Sequence, residues 1–177
     1  YLEQLVKDGN FIKLEFGLES TNNKTLDLIN RCQTHEDAIK AFDMAKNRNI
    51  LLGAHIILGL PKESKKEMLN NVLAINSLPV DTLKIHHLQV VKHTMMAFQY
   101  KQDASQFSFF TLDEYLDLAI DFLEILNPKI IVERFFSESP EHLLIAPKYK
   151  LKNFELVHKI EKRLQEKDSW QGKLFTS

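Results

Sequence analysis

Four short segments of the chain carry hydrophobic patterns of β-strands. Residues 11–16 alternate apolar and polar side chains, as a half-buried strand does, and Gly17 follows them. Residues 50–58 form a nearly unbroken apolar run, which is typical of a strand covered on both faces of a parallel sheet. Residues 82–91 and 130–136 are rich in branched apolar side chains and predict two more strands.

Helical periodicity occupies most of the chain between these strands. Apolar residues recur at helical spacing in residues 22–31, after Thr34 and in residues 151–167. Two further helices begin at capping-box patterns, Ser64 with Glu67 and Thr111 with Glu114. Residues 95–108 show no period and predict a loop.

This order of elements predicts an α/β fold. Strands that alternate with helices form right-handed βαβ units, and such units make the sheet parallel. Four strands are too few to close a barrel of parallel strands. We therefore expect an open sheet or an incomplete barrel.

Composition and charge narrow the class of protein. Of the 177 residues 44% are apolar, enough for a sizeable core, and the formal net charge of −1 does not indicate nucleic acid as a partner. The opening residues do not form a secretory signal, and no apolar stretch is long enough to cross a membrane. We expect a soluble, cytoplasmic protein with no membrane partner.

The single cysteine, Cys32, limits the metal chemistry of the chain. One thiolate excludes an internal disulfide, a four-cysteine zinc site and an iron–sulfur cluster held by three cysteines of this chain. His86 and His87 are adjacent in a predicted strand, so their side chains point to opposite faces and cannot share one metal. No metal site is predicted in these residues.

Polar residues at the carboxyl ends of the predicted strands are the first candidates for chemistry, because ligands of parallel sheets bind there. Glu15 and Glu19 lie four positions apart around Gly17, although they could equally face solvent beside a helix cap. His55 within an apolar strand is more often a core histidine than a ligand. Arg31 could likewise have a structural role only, as a cation that stabilises the C-terminus of a helix.

Taken together, these segments resemble the radical S-adenosylmethionine superfamily, most closely its branch with the Elongator catalytic subunit and oxygen-independent coproporphyrinogen dehydrogenase. Residues 16–20, Phe-Gly-Leu-Glu-Ser, resemble the fourth barrel strand and its turn, and residues 24–31 resemble the following helix. Glu19 precedes Arg31 by 12 residues, as in dehydrogenase-like members. Residues 55–61, His-Ile-Ile-Leu-Gly-Leu-Pro, resemble the fifth strand and its turn.

Later segments extend the resemblance to a subfamily of uncharacterised bacterial radical S-adenosylmethionine proteins. Residues 80–88 resemble its sixth strand, and residues 140–175 resemble its C-terminal arm. The resemblance implies the C-terminal half of a parallel-strand, partial TIM-like barrel over residues 1–136. Residues 137–177 would then form a helical arm with a Trp-containing tail.

The resemblance also implies roles for particular residues. The residues expected to hold S-adenosylmethionine are Glu19 and Arg31 at the methionyl end, His55 at the ribose, and Gly59, Leu60 and Pro61 at the adenine. His55 stands where relatives carry an Asp, and an imidazole cannot chelate both ribose hydroxyls as a carboxylate can. Candidates for the substrate side are Lys84, His86 and His87.

The superfamily's reaction needs a component that this chain lacks. Its members hold a [4Fe–4S] cluster on a Cys-x₃-Cys-x₂-Cys loop and cleave S-adenosylmethionine there to a 5′-deoxyadenosyl radical. The resemblance implies a C-terminal fragment of such an iron–sulfur oxidoreductase, with cluster ligands outside these residues and an unknown substrate.

Two alternatives remain open at this stage. The chain could be a non-catalytic α/β interaction domain that binds a partner through its exposed sheet edge and the Trp170 tail. It could also be a lyase in which Lys84, buried on a strand, forms a Schiff base with a carbonyl substrate.

Overall fold

A computed structural model describes residues 1–176 of the chain. Seven helices and six strands alternate along these residues. The helices are α1 Leu2–Lys7, α2 Asn23–Leu28, α3 His35–Ala45, α4 Lys65–Ser77, α5 Met95–Gln102, α6 Leu112–Ile125 and α7 Asn153–Glu166. The strands are β1 Lys13–Glu19, β2 Leu51–Leu58, β3 Thr82–His87, β4 Val90–Val91, β5 Ile131–Arg134 and β6 Leu144–Ala146.

The main sheet confirms the predicted α/β class. Its four strands lie in the order β1-β2-β3-β5, and every neighbouring pair is parallel. The register aligns Gly17 with His55, His55 with Lys84 and Lys84 with Arg134. Polar residues from β2, β3 and β5 are therefore brought to the same level of the sheet as Gly17 of β1.

The two faces of this sheet differ in character. One face carries Leu52, Ile56 and Ile85, which form a single buried core with apolar side chains of the surrounding helices, such as Phe42 and Val72. Successive strand residues point to opposite faces. The other face therefore carries the intervening positions, among them Lys13, Glu15, His55, Lys84 and His86.

Three of the predicted helices start where their capping residues indicated. Capping boxes form at Thr34, Ser64 and Thr111, each with both reciprocal hydrogen bonds. These side chains satisfy backbone N–H groups that the first turn leaves unpaired. The pairs predicted from sequence at Ser64 and Thr111 are confirmed.

Two sequence predictions in residues 82–108 are wrong. The predicted third strand divides into β3, in the main sheet, and β4, which pairs antiparallel with β6. Residues 95–108 are not a loop, because α5 starts at the N-cap Thr94 and a 3₁₀ turn, Ala104–Gln106, follows it. No residue of α5 is fully buried, and only Met96, Ala97 and Tyr100 pack against a small apolar cluster, so the periodic pattern of this short helix is weak.

The C-terminal arm packs back onto the main body. The Gln171 side-chain amide donates hydrogen bonds to the carbonyls of Asn127 and Ile130, and the Gly172 N–H donates to Leu123. Trp170, in the same tail, is 56% exposed. Residue 177, the end of the predicted arm, lies outside the described residues. Over residues 1–176 no helix has the length and apolarity needed to cross a bilayer.

Candidate ligand site at the strand ends

A cavity of about 430 Å³ lies at the carboxyl ends of β1, β2 and β3. We call it the strand-end cavity. Its size is in the usual range for a small-molecule site. Side chains from separate parts of the chain border it: Glu19, Ile29, His55, Ile57, Leu60, His86, Gln89, Met96 and Ser137.

Glu19 reaches this cavity through an irregularity at the end of β1. The register of β1 with β2 shifts between Gly17 and Glu19, and Glu19 has a φ of 60°, in the left-handed region. A bulge of this kind redirects a side chain at the end of a strand. A Cβ at Gly17 would lie 2.5 Å from Glu19 Oε1, so the glycine leaves the space that the folded-back carboxylate occupies.

Arg31 approaches the same carboxylate from the turn after α2. Its Nη2 donates a 3.0 Å hydrogen bond to the Gly17 carbonyl, and its Nε lies 3.9 Å from Glu19 Oε1. The Nε is buried without a hydrogen-bond partner. Asn30 and Cys32, on either side, have φ of 56° and turn the chain here. The Arg31 side chain thus lies at the end of β1. A cation that only stabilised the C-terminus of a helix would not need to lie there.

The charge state of Glu19 depends on competing effects. Burial raises the pKa of this carboxyl group above its ordinary value, and the neighbouring Arg31 and His55 side chains act in the opposite direction. A cationic ligand group in the cavity would favour the ionised carboxylate. The pair can therefore present a negative and a positive group to one zwitterionic ligand.

His55 lies between a carboxylate and another histidine. Its Nε2 is buried without a hydrogen-bond partner and stands 3.6 Å from Glu15 Oε2. Its ring stacks on His86, with centroids 5.3 Å apart and planes 28° apart. The core-histidine interpretation does not fit, since the residue borders the cavity and keeps an unsatisfied ring nitrogen.

The turn after β2 closes one side of the cavity. Gly59 has a φ of 89°, a conformation that glycine adopts without strain. Leu60 is 3% exposed and presents an apolar side chain to the cavity. Gly59 and Pro61 are part of the same turn, but neither borders the cavity.

A buried carboxyl group that the sequence analysis did not identify joins this turn to β1. Ser20 donates a hydrogen bond to Glu63, and Ser20 Oγ in turn accepts one from the Asn22 N–H. Burial raises the pKa of Glu63. The contact holds the segment after Glu19 against the segment after Leu60. Only the position of each residue just beyond a strand could have signalled it.

The two adjacent histidines of β3 face different surroundings, as predicted from strand alternation. His86 shares a 2.5 Å hydrogen bond with Ser137 Oγ at the cavity. His87 also borders the cavity, but its ring stacks on Phe136 at 4.1 Å and contacts Tyr115 and Tyr149. Burial is the main reason that the pKa of each histidine falls to about 4.

Lys84 lies in a network of charges rather than alone in apolar surroundings. Its Nζ is 2.5 Å from Glu15 and 3.7 Å from Glu133, and Lys13 joins the same two carboxylates at 2.8 and 2.5 Å. Hydrogen bonds from the two lysines lower the pKa of Glu15 to about 2. The Schiff-base hypothesis requires an unpaired amine, so this arrangement does not favour it.

The residues of the cavity fit S-adenosylmethionine but not an iron–sulfur cluster. Glu19 and His55 border the cavity, and Ile29, Ile57 and Leu60 offer apolar surface. Arg31 does not border the cavity itself, but its unsatisfied Nε lies 3.9 Å from Glu19 Oε1, and His55 Nε2 is also unsatisfied. By contrast, the one cysteine is an exposed free thiol. Across residues 1–176 no three His, Cys, Asp or Glu side chains are grouped to hold a metal ion.

The chain is similar to a known domain family and to several known proteins. Residues 80–166 match the Radical_SAM C-terminal domain family. The chain is 33% identical to the uncharacterized protein YtqA of Bacillus subtilis, over 99% of the chain and 53% of YtqA. It is also 33% identical to the uncharacterized protein MJ0486 of Methanocaldococcus jannaschii, over 98% of the chain and 54% of that protein. The chain thus spans about half the length of these relatives.

A solved structure shows the same fold. The Elp3 protein of the archaeon Methanocaldococcus infernus, with residues 1–46 deleted, superposes with a TM-score of 0.81 at 21% identity. The match covers 96% of this chain and 39% of that one.

Proposed function

We propose that this chain belongs to the radical S-adenosylmethionine superfamily, as its match to the Radical_SAM C-terminal domain supports, and that its strand-end cavity binds S-adenosylmethionine in an iron–sulfur enzyme of that superfamily. The observation that carries the proposal is that the side chains of Glu19 and Arg31 approach each other beside Gly17. The Arg31 Nε there is buried and has no hydrogen-bond partner. Bound at an iron–sulfur cluster, S-adenosylmethionine supplies a 5′-deoxyadenosyl radical that abstracts hydrogen from a substrate.

Each end of the ligand has complementary residues. The Arg31 guanidinium would bind the methionyl carboxylate, and the Glu19 carboxylate would accept hydrogen bonds from the methionyl ammonium. His55 would contact the ribose. Gly59, Leu60 and Pro61 would bring backbone and apolar surface to the adenine.

The cluster itself would be held by cysteines outside these 177 residues. One thiolate cannot replace the three that the superfamily uses. The exposed thiol of Cys32 suits a reducing compartment such as the cytoplasm. The substrate-side candidates remain Lys84, His86 and His87.

Substitution of Arg31 tests the proposal. Arg31→Gln removes a charge-assisted hydrogen bond of about 1.5–3 kcal/mol, so the dissociation constant for S-adenosylmethionine should rise roughly 10- to 100-fold. The matched control is Arg48→Gln, because Arg48 pairs with Glu3 on the surface at 2.9 Å, apart from the cavity. Titration of the labelled chain, followed by NMR, measures weak affinities. Equal affinities for both variants would contradict the proposal.

A further inference from the structure

Three polar side chains at the start of α4 hold the segment that follows Glu19. Glu67 and Asn71 are four positions apart and share one face of the helix, and Glu63 lies in the turn that leads into it. We call Glu63, Glu67 and Asn71 the α4 clasp.

Each residue of the clasp accepts hydrogen bonds from a different residue of the segment 20–22. The bonds run from Ser20 Oγ to Glu63, from Thr21 N–H and Oγ1 to Asn71 Oδ1 at 2.7 and 2.6 Å, and from Asn22 Nδ2 to Glu67 Oε1 at 3.2 Å. Three successive residues are therefore fixed to one helix and its lead-in.

The strongest part of the clasp is buried. Ser20 and Asn71 are each 1% exposed, and Glu63 is 8% exposed. Glu63 Oε2 and Asn71 Nδ2 are buried and have no hydrogen-bond partner among residues 1–176. Because a buried polar group without a partner costs stability, apolar side chains would avoid this cost. Stability alone therefore does not explain the polar side chains at these positions.

The segment begins directly after a strained residue. Glu19 has a φ of 60°, and the Ser20 N–H donates a 2.7 Å hydrogen bond to the Leu18 carbonyl, which closes a three-residue turn around Glu19. A turn of this kind with a positive φ is rare for a residue that carries a side chain. Such a conformation persists only where the surrounding contacts enforce it.

We propose that Glu63 and Asn71 are positioning residues, which hold Glu19 in its left-handed conformation and so keep its carboxylate at the strand-end cavity. That this carboxylate meets the methionyl ammonium rests on the proposed function. The Glu63 N–H also donates to the carbonyl of Leu60, which borders the cavity, at 3.2 Å. The clasp thus couples the two turns that would contact opposite ends of the ligand.

Asn71→Ala tests the proposal, with Asn76→Ala as its matched control. Asn76 lies on the same helix and also bonds to backbone groups, because its Nδ2 donates to the Ile125 carbonyl and its Oδ1 accepts from the Asn127 N–H, both at 2.9 Å. In Asn71→Ala the NMR resonances of the Glu19 backbone should move towards those of an extended residue, and the dissociation constant for S-adenosylmethionine should rise roughly tenfold or more. Asn76→Ala should leave these resonances in place and change the dissociation constant less than about twofold.

Two substitutions of Glu63 separate positioning from a general loss of structure. Glu63→Gln keeps an oxygen that can accept from Ser20, so it should keep the Glu19 resonances and an affinity within about threefold of the unmodified chain. Glu63→Leu removes the acceptor, so it should have the same effects as Asn71→Ala. Urea denaturation shows whether each variant is folded. If Asn71→Ala does not fold, Thr21→Val replaces it, because it removes one of the same hydrogen bonds from the donor side.

Unmoved Glu19 resonances in the folded clasp variants would overturn the proposal. Equal effects of Asn71→Ala and Asn76→Ala, or equal losses in Glu63→Gln and Glu63→Leu, would also overturn it, as would unchanged affinity for S-adenosylmethionine where the Glu19 resonances move. If the unmodified chain does not bind S-adenosylmethionine, the proposed function fails. The Glu19 resonances then still decide whether the clasp holds this residue.

Discussion

At the scale of single residues, the geometry of the site depends on the space and the backbone conformation at individual positions. Gly17 provides the space into which the Glu19 carboxylate folds, and the left-handed φ of Glu19 directs it there. Resemblance to a known family predicted roles for Glu19 and Arg31, but the sequence could not reveal the bulge between Gly17 and Glu19. It also could not reveal the contact between Ser20 and Glu63, because the two residues are 43 positions apart.

Gly17→Ala tests this arrangement. The new Cβ would meet Glu19 Oε1 at 2.5 Å and Arg31 Nη2 at 3.1 Å, both at the ends of flexible side chains. These side chains can move away, so the free energy of unfolding should change by no more than about 1 kcal/mol. Affinity for S-adenosylmethionine should fall roughly tenfold or more, which corresponds to about 1.4 kcal/mol.

The control for this prediction is Gly53→Ala. Its Cβ would meet Thr82 Oγ1 at 2.9 Å and the Glu15 and Lys13 side chains at 3.2 Å, without touching Glu19. A comparable loss of affinity in both variants would indicate that general disturbance of the sheet, rather than the position of Glu19, is responsible.

At the scale of elements, the alternation of side chains along β3 places neighbouring residues in different surroundings. His86 lies with Lys84 on the face that carries the cavity, and His87 lies among Phe136, Tyr115 and Tyr149. Strand alternation is a local rule, so the sequence predicted this division correctly. The sequence did not predict the end of β3 at His87, because β4 continues the same apolar pattern in another sheet.

The position of His87 predicts a specific dependence of stability on pH. Burial lowers the pKa of His87 from 6.5 to about 4, so below pH 6.5 the unfolded chain takes up a proton that the folded chain does not. Stability is therefore lost as the pH falls from 6.5 towards 4. His87 should contribute a loss on the order of 2 kcal/mol between pH 7.5 and pH 5.

Urea denaturation at the two pH values measures this contribution. In His87→Phe, which keeps an aromatic ring in the cluster, the loss of stability between pH 7.5 and pH 5 should be smaller by about that amount. Carboxyl groups and His86 titrate in both proteins, so their effects cancel in the comparison. The same loss in both proteins would show that His87 is not buried in its neutral form.

At the scale of the whole molecule, the sequence predicted the fold class and the parallel order of units, because both follow from the alternation of strands and helices. Contacts of the arm were not predictable, since Gln171 reaches Asn127 and Ile130 through hydrogen bonds that leave no periodic pattern. The arm nevertheless lines a cavity of about 440 Å³ that shares Gln89 and Ser137 with the strand-end cavity.

The central claim is that the strand-end cavity binds S-adenosylmethionine, and an NMR map of the labelled chain tests it most directly. We predict saturable shifts of the backbone amides of Gly17, Arg31, His55 and Gly59 on addition of S-adenosylmethionine. The same concentrations of S-adenosylhomocysteine, which lacks the sulfonium methyl group but keeps the amino, carboxylate and adenosine groups, should shift the same amides. No saturable shift at these amides, or shifts confined to residues away from the cavity, would contradict the claim.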